Sequence, residues 1–262
     1  MKKRALITGA SEGIGREFAH QLASKGYSLT LVARNEGRLI ELLDQVPQTD
    51  HQIRCADLST EEGMTQICQE LRHHHYDLLI NNAGFGLYSS FSKAPVHDYD
   101  KMLALNCTSL MRLSHEFLRQ AQRGDALLNV ASVLAFLPMA ESAVYNATKA
   151  FVKSFSETLW YEQKSRGVFV MALCPGITRT EFFKRAGGKL DQTFPGFLTQ
   201  TPRQVVALAL KELEHRARPV VVSGRMNQLS VLLTRLFPAR QLITILGNLS
   251  HRGQKLKSEQ SH

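Results

Sequence analysis

The stretch Thr8-Gly9-Ala10-Ser11-Glu12-Gly13-Ile14-Gly15 decides the fold. An apolar run at residues 4–8 precedes it and predicts a short buried strand, and an apolar-periodic segment after it predicts a helix. Glycines let the backbone approach a diphosphate closely, and a helix N-terminus offers unpaired N–H groups. Strand, glycine turn and helix in this order predict the phosphate-binding start of a dinucleotide-binding unit.

Strands and helices alternate along the rest of the first 224 residues. Further strands are predicted at residues 28–33, 52–56, 77–81, 126–131, 168–174 and 219–223. Helices are predicted at about 36–46, 60–74, 98–121, 142–166 and 202–216. This alternation is typical of an α/β fold, in which a doubly wound parallel sheet carries helices on both faces.

Composition sets the broad class of the protein. The 262 residues are 44% hydrophobic and 21% charged, which suits one large globular domain or two small ones. No uncharged apolar run of about 18 residues is present, so no membrane-spanning helix is expected, and the first residues do not predict a signal peptide. Four scattered cysteines without CxxC spacing indicate free thiols in a reducing compartment, so we expect a cytoplasmic location: Cys55, Cys68, Cys107 and Cys174.

The net charge of +9 is unevenly distributed. From Thr201 onward there are ten Lys/Arg and three Asp/Glu residues, which gives +7. Such a basic region attracts an anionic substrate, an acidic carrier protein or a membrane surface, and it is also compatible with plain solvated surface. No nucleic-acid-binding motif is present, so no nucleic-acid partner is expected. Residues 73–75 are three consecutive histidines that fan around a helix, so no metal site is predicted.

The end of the second strand bears on the choice of cofactor. In dinucleotide-binding units an acidic residue there binds the 2′-hydroxyl of NAD, whereas an arginine accommodates the 2′-phosphate of NADP. Arg34 follows the strand directly and Arg38 lies one helical turn later, with no acidic residue at the strand end. The sequence therefore predicts NADP as the cofactor, with NAD as the alternative. Arg34 is also compatible with an ordinary exposed loop residue.

Tyr145 and Lys149 are four residues apart on a predicted helix, so their side chains share one face. An ammonium group near a phenol lowers the phenol pKa, which makes the pair a candidate proton donor and acceptor for a carbonyl or alcohol. By itself the pair also fits a solvated helix face. Ser132 lies at the carboxyl end of a strand, where open α/β sheets place their chemistry. Asn106 falls within a predicted helix, where asparagine kinks the helix, bridges to water or is simply tolerated.

Together these segments resemble the short-chain dehydrogenase/reductase family. TGASEGIG at 8–15, NNAG at 81–84, Asn106, Ser132, Tyr145-x-x-x-Lys149 and PGITRT at 175–180 occur in the order and at the spacing of that family, over roughly residues 4–182. The family implies a seven-stranded Rossmann-like sheet, NAD(P)-dependent oxidation or reduction, and assembly as a homodimer or homotetramer.

The resemblance assigns roles residue by residue. The cofactor residues are Gly9, Ser11, Gly13, Ile14 and Gly15 (diphosphate loop), Arg34 (NADP selection), Asp57 and Leu58 (adenine), Asn81, Ala83 and Gly84 (adenosine-side wall), and Pro175, Gly176, Ile177, Thr178 and Thr180 (nicotinamide clamp). The implied catalytic tetrad is Asn106, Ser132, Tyr145 and Lys149, of which Tyr145 and Lys149 also contact the cofactor. One departure is Glu12, because many NADP-using relatives carry Arg or Lys just before the second glycine.

The family also implies a mechanism for carbonyl reduction. Ser132 hydrogen-bonds the substrate carbonyl, and Tyr145 donates a proton to its oxygen as hydride arrives at carbon. Lys149 lowers the tyrosine pKa and holds the nicotinamide ribose, while Asn106 supports a water molecule that passes protons to Lys149. In the oxidation direction Tyr145 is the base.

Two segments lie beyond these motifs. Residues 181–200 predict a loop that either closes over a hydrophobic substrate or packs on the domain, through Phe182, Phe183, Phe194 and Phe197. Residues 226–249 predict two short apolar helices broken at Pro238. We divide the chain into a catalytic domain at 1–224 and an apolar, basic extension at 225–262 packed on it. This extension covers the pocket, forms an oligomer contact or touches a membrane surface, and it resembles a bacterial subgroup often labelled DltE-like.

The expected function is that of an NADP(H)-dependent oxidoreductase. It would act on a carbonyl or secondary alcohol of a hydrophobic or acyl small-molecule substrate, such as a 3-oxoacyl compound. The alternative is a regulator or scaffold that binds the cofactor on a retained fold. The Asn106-Ser132-Tyr145-Lys149 set favours the enzyme, because a pure binding protein has no need of Tyr145.

Overall fold

A computed structural model describes residues 2–47, 50–137, 139–187, 199–234, 236–238, 240–244 and 247. The strands are β1 (Arg4–Thr8), β2 (Ser28–Ala33), β3 (Gln52–Cys55), β4 (Leu78–Asn81), β5 (Ala126–Val130), β6 (Phe169–Cys174), β7 (Ile177–Thr178), β8 (Thr199–Gln200) and β9 (Val220–Val222). The α-helices are α1 (Gly13–Ser24), α2 (Glu36–Leu43), α3 (Glu61–His73), α4 (Val96–Leu103), α5 (Leu110–Gln120), α6 (Ala143–Gln163), α7 (Phe182–Arg185), α8 (Pro202–His215) and α9 (Arg225–Thr234).

The main sheet has seven strands in the order β3-β2-β1-β4-β5-β6-β9, and every pairing is parallel. This confirms the predicted seven-stranded Rossmann-like sheet. The strand order reverses between β1 and β4, which pair Ile7 with Ile80. Because ligands of open α/β sheets bind beyond the carboxyl ends of the strands at such a reversal, the fold places a crevice beyond Thr8 and Asn81.

Helices cover both faces of the sheet, as the alternating pattern predicted. One face carries α1 and α8, whose apolar stripes bury residues such as Phe18, Leu22 and Val206. The other face carries α3 and α5, which bury residues such as Ile67 and Phe117. The central strands are buried on both faces, and this is why β2, β5 and β6 are continuous apolar or small-residue runs rather than alternating ones.

The helix predicted at 98–121 is not a single α-helix. A π-helical turn at Ala104–Ser109 separates α4 from α5, and Asn106 lies within it. Two hydroxyl groups, one at the last residue of this turn and one inside α5, donate to main-chain carbonyls four residues back, Ser109 to Leu105 and Ser114 to Leu110. π-turns within helices are frequent at functional sites, because the extra residue in the turn redirects a side chain.

The segment after β6 contains structure that the sequence did not predict. The short helix α7 occupies part of the predicted loop at 181–200, and β7 pairs with β8 across it. Phe194 and Phe197 lie outside the described residues. Beyond β9, α9 is followed by helical residues at 240–244 on the other side of Pro238. The division of the chain at residue 224 stays a prediction.

Among the described residues, no helix is both long enough and apolar enough to cross a bilayer.

A buried polar network between the sheet and α3 generates a stability prediction. The Tyr76 hydroxyl donates to Glu70 Oε1 over 2.6 Å and lies 2.8 Å from the Thr30 hydroxyl, while Arg54 donates to the other carboxylate oxygen. Tyr76→Phe leaves the carboxylate without one donor, and we expect it to lower the free energy of unfolding by about 1–3 kcal/mol, measured by urea denaturation.

Tyr161 is 73% exposed and provides the matched control. Tyr161→Phe is expected to change the free energy of unfolding by no more than about 0.5 kcal/mol. Equal effects of the two substitutions would contradict the importance of the Tyr76 network.

Candidate active site

The glycine loop between β1 and α1 is tightly folded. Gly9 adopts a positive φ of 64°, and a Cβ on Gly15 would lie 2.2 Å from the carbonyl oxygen of Gly9. Only glycine fits at these two positions, because the loop folds back on itself before the helix begins. The free N–H groups at the start of α1 then face the crevice, as an anion-binding loop requires.

Asn82 fastens this loop to the end of β4. Its side-chain amide donates to the carbonyl oxygens of Thr8 (2.9 Å) and Gly9 (3.1 Å). The Thr8 hydroxyl in turn accepts the main-chain N–H groups of Asn82 and Ala83. Asn82 was not predicted as a site residue, although it lies inside the NNAG segment that carries the resemblance.

Asn81 occupies a different environment from its neighbour. It is 3% exposed, and its amide nitrogen donates to Ser114 and to Asn129 inside the sheet. The side chain therefore ties β4 to β5 and α5 and does not reach the crevice. Ala83 and Gly84 continue the wall, and a Cβ on Gly84 would lie 3.0 Å from Asn106 Oδ1.

The adenosine end of the crevice carries Arg34, whose side chain is 69% exposed and lies 3.6 Å from the Asp57 carboxylate. Leu58 is buried in the core, so its side chain is not available to a ligand. Arg38, the second candidate for the 2′-phosphate, donates instead to Glu12 Oε2 over 3.0 Å. The acid that departs from the family pattern thus pairs with Arg38, and Arg34, with its longer contact to Asp57, is the more exposed of the two guanidinium groups.

The predicted nicotinamide clamp lies across the crevice from the glycine loop. A Cβ on Gly13 would lie 3.1 Å from the Thr180 methyl group, so the two segments are in contact. Within the clamp, the Thr178 hydroxyl donates to the carbonyl of Gly176. Asn227 of α9 packs on Gly176, where a Cβ would come within 2.1 Å of its amide nitrogen. Pro175 and Ile177 flank this contact, and Asn227 is a supporting residue that the sequence did not indicate.

Asn106 joins three segments of the site. Its amide nitrogen donates to the Phe85 carbonyl (2.9 Å) and to the Thr148 hydroxyl (3.2 Å), and its oxygen accepts the Phe85 N–H (3.1 Å). The Thr148 hydroxyl then donates to the Tyr145 carbonyl. The π-turn therefore holds the start of α6 against the segment that follows NNAG.

Tyr145 is 6% exposed and lies close to Ser132. Burial raises the pKa of Tyr145 well above its usual range, the nearby phenol of Tyr88 adds to the rise, and the proximity of the Ser132 hydroxyl opposes it. The sequence predicted a lowered pKa because of Lys149. In the structure the loss of hydration sets the direction instead, so Tyr145 keeps its proton.

Lys149 is 5% exposed, and its ammonium donates to the Val130 carbonyl over 2.9 Å. It lies 5.6 Å from the centre of the Tyr145 ring. Burial lowers the pKa of Lys149 to about 8. The structure thus brings Asn106, Ser132, Tyr145 and Lys149 together at the carboxyl ends of β4 and β5.

Aromatic side chains pack around Tyr145. The ring centres of Phe182 and Tyr88 lie 5.7 Å and 6.4 Å from the ring centre of Tyr145, and Phe183 packs on Tyr88. The Tyr88 N–H donates to the Ala186 carbonyl, which fixes the end of α7 over the site. Tyr88 was not predicted as a site residue, because one tyrosine in a loop forms no periodic pattern.

A second contact fastens α7 to the glycine loop. Glu12 accepts a hydrogen bond from Arg185 as well as from Arg38. One carboxylate therefore joins the glycine loop, α2 and α7 around the mouth of the crevice. No group of three or more potential metal ligands occurs among the described residues.

A parallel sheet with this glycine loop and this tyrosine–lysine pair defines an oxidoreductase that acts on alcohol and carbonyl groups with a nicotinamide cofactor. The chain belongs to the short-chain dehydrogenase family, whose sequence profile matches residues 3–190.

Three similar proteins illustrate the range of this family. Sulfoacetaldehyde reductase 2 of Chromohalobacter salexigens is 31% identical over 243 residues, covering 90% of this chain and 96% of that protein. The very-long-chain 3-oxoacyl-CoA reductase of Rattus norvegicus is 27% identical over 263 residues, with 97% and 82% covered. The structure of a short-chain dehydrogenase from Sphingobium yanoikuyae in complex with NADPH aligns with a TM-score of 0.77 at 32% identity, over 84% of this chain and 87% of that one.

The buried ammonium of Lys149 generates a pH prediction. Its pKa is 10.5 in the unfolded chain and about 8 in the folded one. Between these values only the unfolded chain binds the proton, so the wild-type free energy of unfolding, relative to Lys149→Met, should rise with pH across this window. Urea denaturation of both proteins at several pH values from 7 to 10.5 measures this difference. A difference that stays constant would contradict the lowered pKa.

Proposed function

We propose that this chain is an NADP(H)-dependent oxidoreductase that transfers hydride between the nicotinamide and a carbonyl or secondary alcohol of a hydrophobic or acyl substrate. The observation that carries the proposal is the buried side chain of Tyr145, which lies close to Ser132 and has the Lys149 ammonium 5.6 Å from the centre of its ring. These groups converge at the sheet edge where the glycine loop forms its anion-binding turn.

The residues present fit a dinucleotide phosphate. The cradle formed by Gly9 and Gly15 has no room for a Cβ and leaves main-chain N–H groups for a diphosphate. The exposed guanidinium of Arg34 suits the bidentate geometry of a 2′-phosphate. The clamp at 175–180 would hold the nicotinamide, and Lys149 would hold its ribose. NADP is therefore favoured over NAD.

Each catalytic side chain has a distinct task in the reduction. When bound, the nicotinamide supplies the hydride. Ser132 orients the carbonyl by hydrogen bonding, and Tyr145 gives its phenolic proton to the carbonyl oxygen, which the raised pKa of Tyr145 keeps available at neutral pH. The positive charge of Lys149 stabilises the resulting phenolate in these buried surroundings. Asn106 holds the helix that carries both residues.

The surroundings of Tyr145 indicate the kind of substrate. Tyr145 belongs to a small apolar cluster with the buried Tyr99 and Met102, and the partly buried side chains packed on this cluster include Phe85, Leu87, Leu134 and Phe182. These apolar surroundings favour an apolar body next to the reacting carbonyl. By their names, two of the relatives reduce very different compounds, a sulfoacetaldehyde and a very-long-chain 3-oxoacyl-CoA. We therefore base the substrate class on the apolar side chains around Tyr145.

Two further parts of this proposal rest on the resemblance to the family alone. The DltE-like subgroup and the homodimer or homotetramer are carried by similarity to the family. The alternative function, a cofactor-binding regulator or scaffold, gains no support from the site, because binding alone does not require Ser132, Tyr145 and Lys149 to converge.

The direct test is Tyr145→Phe, which removes the transferable proton and leaves the ring packing intact. We expect the rate of NADPH-dependent carbonyl reduction to fall by at least about 100-fold, while NADPH affinity stays within about threefold of wild type. Steady-state NADPH oxidation and fluorescence titration measure the two quantities. Turnover within a few-fold of wild type would rule out Tyr145 as the acid.

Arg34 and Arg38 allow a paired test of cofactor choice. Arg34→Gln should raise the KM for NADPH about 10- to 100-fold with little change for NADH, because a charge-assisted hydrogen bond to the 2′-phosphate is lost. Arg38→Gln is the matched control and should have a smaller effect, since Arg38 is bonded to Glu12. Equal losses with both cofactors would contradict the assignment of Arg34.

A further inference from the structure

The C-terminal extension exposes an unusual amount of apolar surface. Fourteen large apolar side chains are exposed in the described part of the chain, and six of them lie within twelve consecutive residues: Met226, Leu229, Leu232, Leu233, Leu236 and Phe237. We call these six the C-terminal apolar surface. Their exposed fractions run from 43% to 71%, so each of them presents a large part of its apolar side chain to solvent.

The part of this surface on α9 forms a single face. At 3.6 residues per turn, Met226, Leu229, Leu232 and Leu233 fall within an arc of about 120°. Val231, the buried residue of α9, lies roughly opposite this arc and packs on the domain. In an ordinary surface helix the apolar stripe faces the core, whereas in α9 it faces solvent.

The charged residues of this part of the sequence all have one sign. From His215 to Ser258 the sequence contains eight Lys/Arg residues and no Asp or Glu. Arg225 begins α9 and is exposed, and the exposed Arg240 follows the apolar surface along the chain. An apolar helix face whose own segment carries only cations is the pattern of a segment that lies in the interface of an anionic bilayer.

We propose that the C-terminal apolar surface docks on an anionic lipid bilayer. A second copy of the chain suits it less, because face-to-face packing would bring two such basic segments together without acidic partners from either. The side chains would enter the boundary between headgroups and acyl chains, while Arg225 and Arg240 would meet lipid phosphates.

The position of α9 connects this surface to the active-site edge. α9 begins just after β9, whose Val222 pairs with Cys174 at the end of β6. Asn227 in its first turn packs on Gly176 of the clamp. A docked bilayer would therefore lie at the carboxyl edge of the sheet, on the side where Tyr145 lies. Membrane docking goes beyond the proposed function, since it requires no turnover.

The test uses the full chain and vesicles of phosphatidylcholine with or without phosphatidylglycerol. We expect co-sedimentation with the anionic vesicles, weaker binding to the neutral ones, and weakening by salt. The double variant Leu229→Glu/Leu232→Glu should weaken binding at least about tenfold, and Arg225→Gln/Arg240→Gln should remove the preference for anionic vesicles.

Ile40→Glu is the matched control, because Ile40 is 49% exposed on α2 and Leu229 is 47% exposed on α9. It should bind like wild type, and thermal unfolding by circular dichroism checks that every variant is folded. The proposal is overturned if wild type does not bind anionic vesicles or if Leu229→Glu/Leu232→Glu binds as well as wild type. Size-exclusion chromatography that shows a dimer split by this variant, without vesicle binding, would assign the surface to a second copy instead.

Discussion

A buried ammonium group is the constraint on which the active site depends. Lys149 is 5% exposed, and no carboxylate lies within ion-pair distance of it among the residues that the structure describes. Burying an unpaired charge costs free energy, and the pKa of Lys149 is lowered because burial disfavours its charged form. The protein offsets part of it with the Val130 carbonyl and the face of the Tyr145 ring. Strongly shifted pKa values cluster at functional sites. The burial of Lys149 beside a buried phenol therefore fits a site selected for function at some loss of stability.

The same site is closed by contacts between distant parts of the chain. Glu12 holds Arg185 of α7 at the glycine loop, and Ala186 accepts the N–H of Tyr88. Phe182 and Tyr88 then exclude water from Tyr145, which accounts for the raised pKa of its phenol. Phe182 of α7 therefore contributes to the low-dielectric surroundings of the Tyr145 phenol.

The sequence predicted the sheet well because its strands are apolar runs bounded by turn residues. β1 and β2 match the predicted residues 4–8 and 28–33 at both ends. Local patterns could not show the π-turn at Asn106, since its geometry depends on bonds to Phe85 and Thr148. They also could not show that Glu12 binds Arg185, which is 173 residues away, or that Asn81 faces inward while Asn82 holds the glycine loop. Such pairings arise only from the tertiary fold.

The most direct test of NADPH-dependent carbonyl reduction is to measure the oxidation of NADPH and of NADH, side by side, with a panel of ketones, aldehydes and 3-oxoacyl thioesters. We expect turnover that prefers NADPH and is confined to carbonyl compounds with a large apolar or acyl body. Faster turnover with NADH would contradict the role of Arg34. Tight binding of NADPH with no turnover of any carbonyl compound in the panel would contradict the assignment of Tyr145 as proton donor and favour the cofactor-binding regulator.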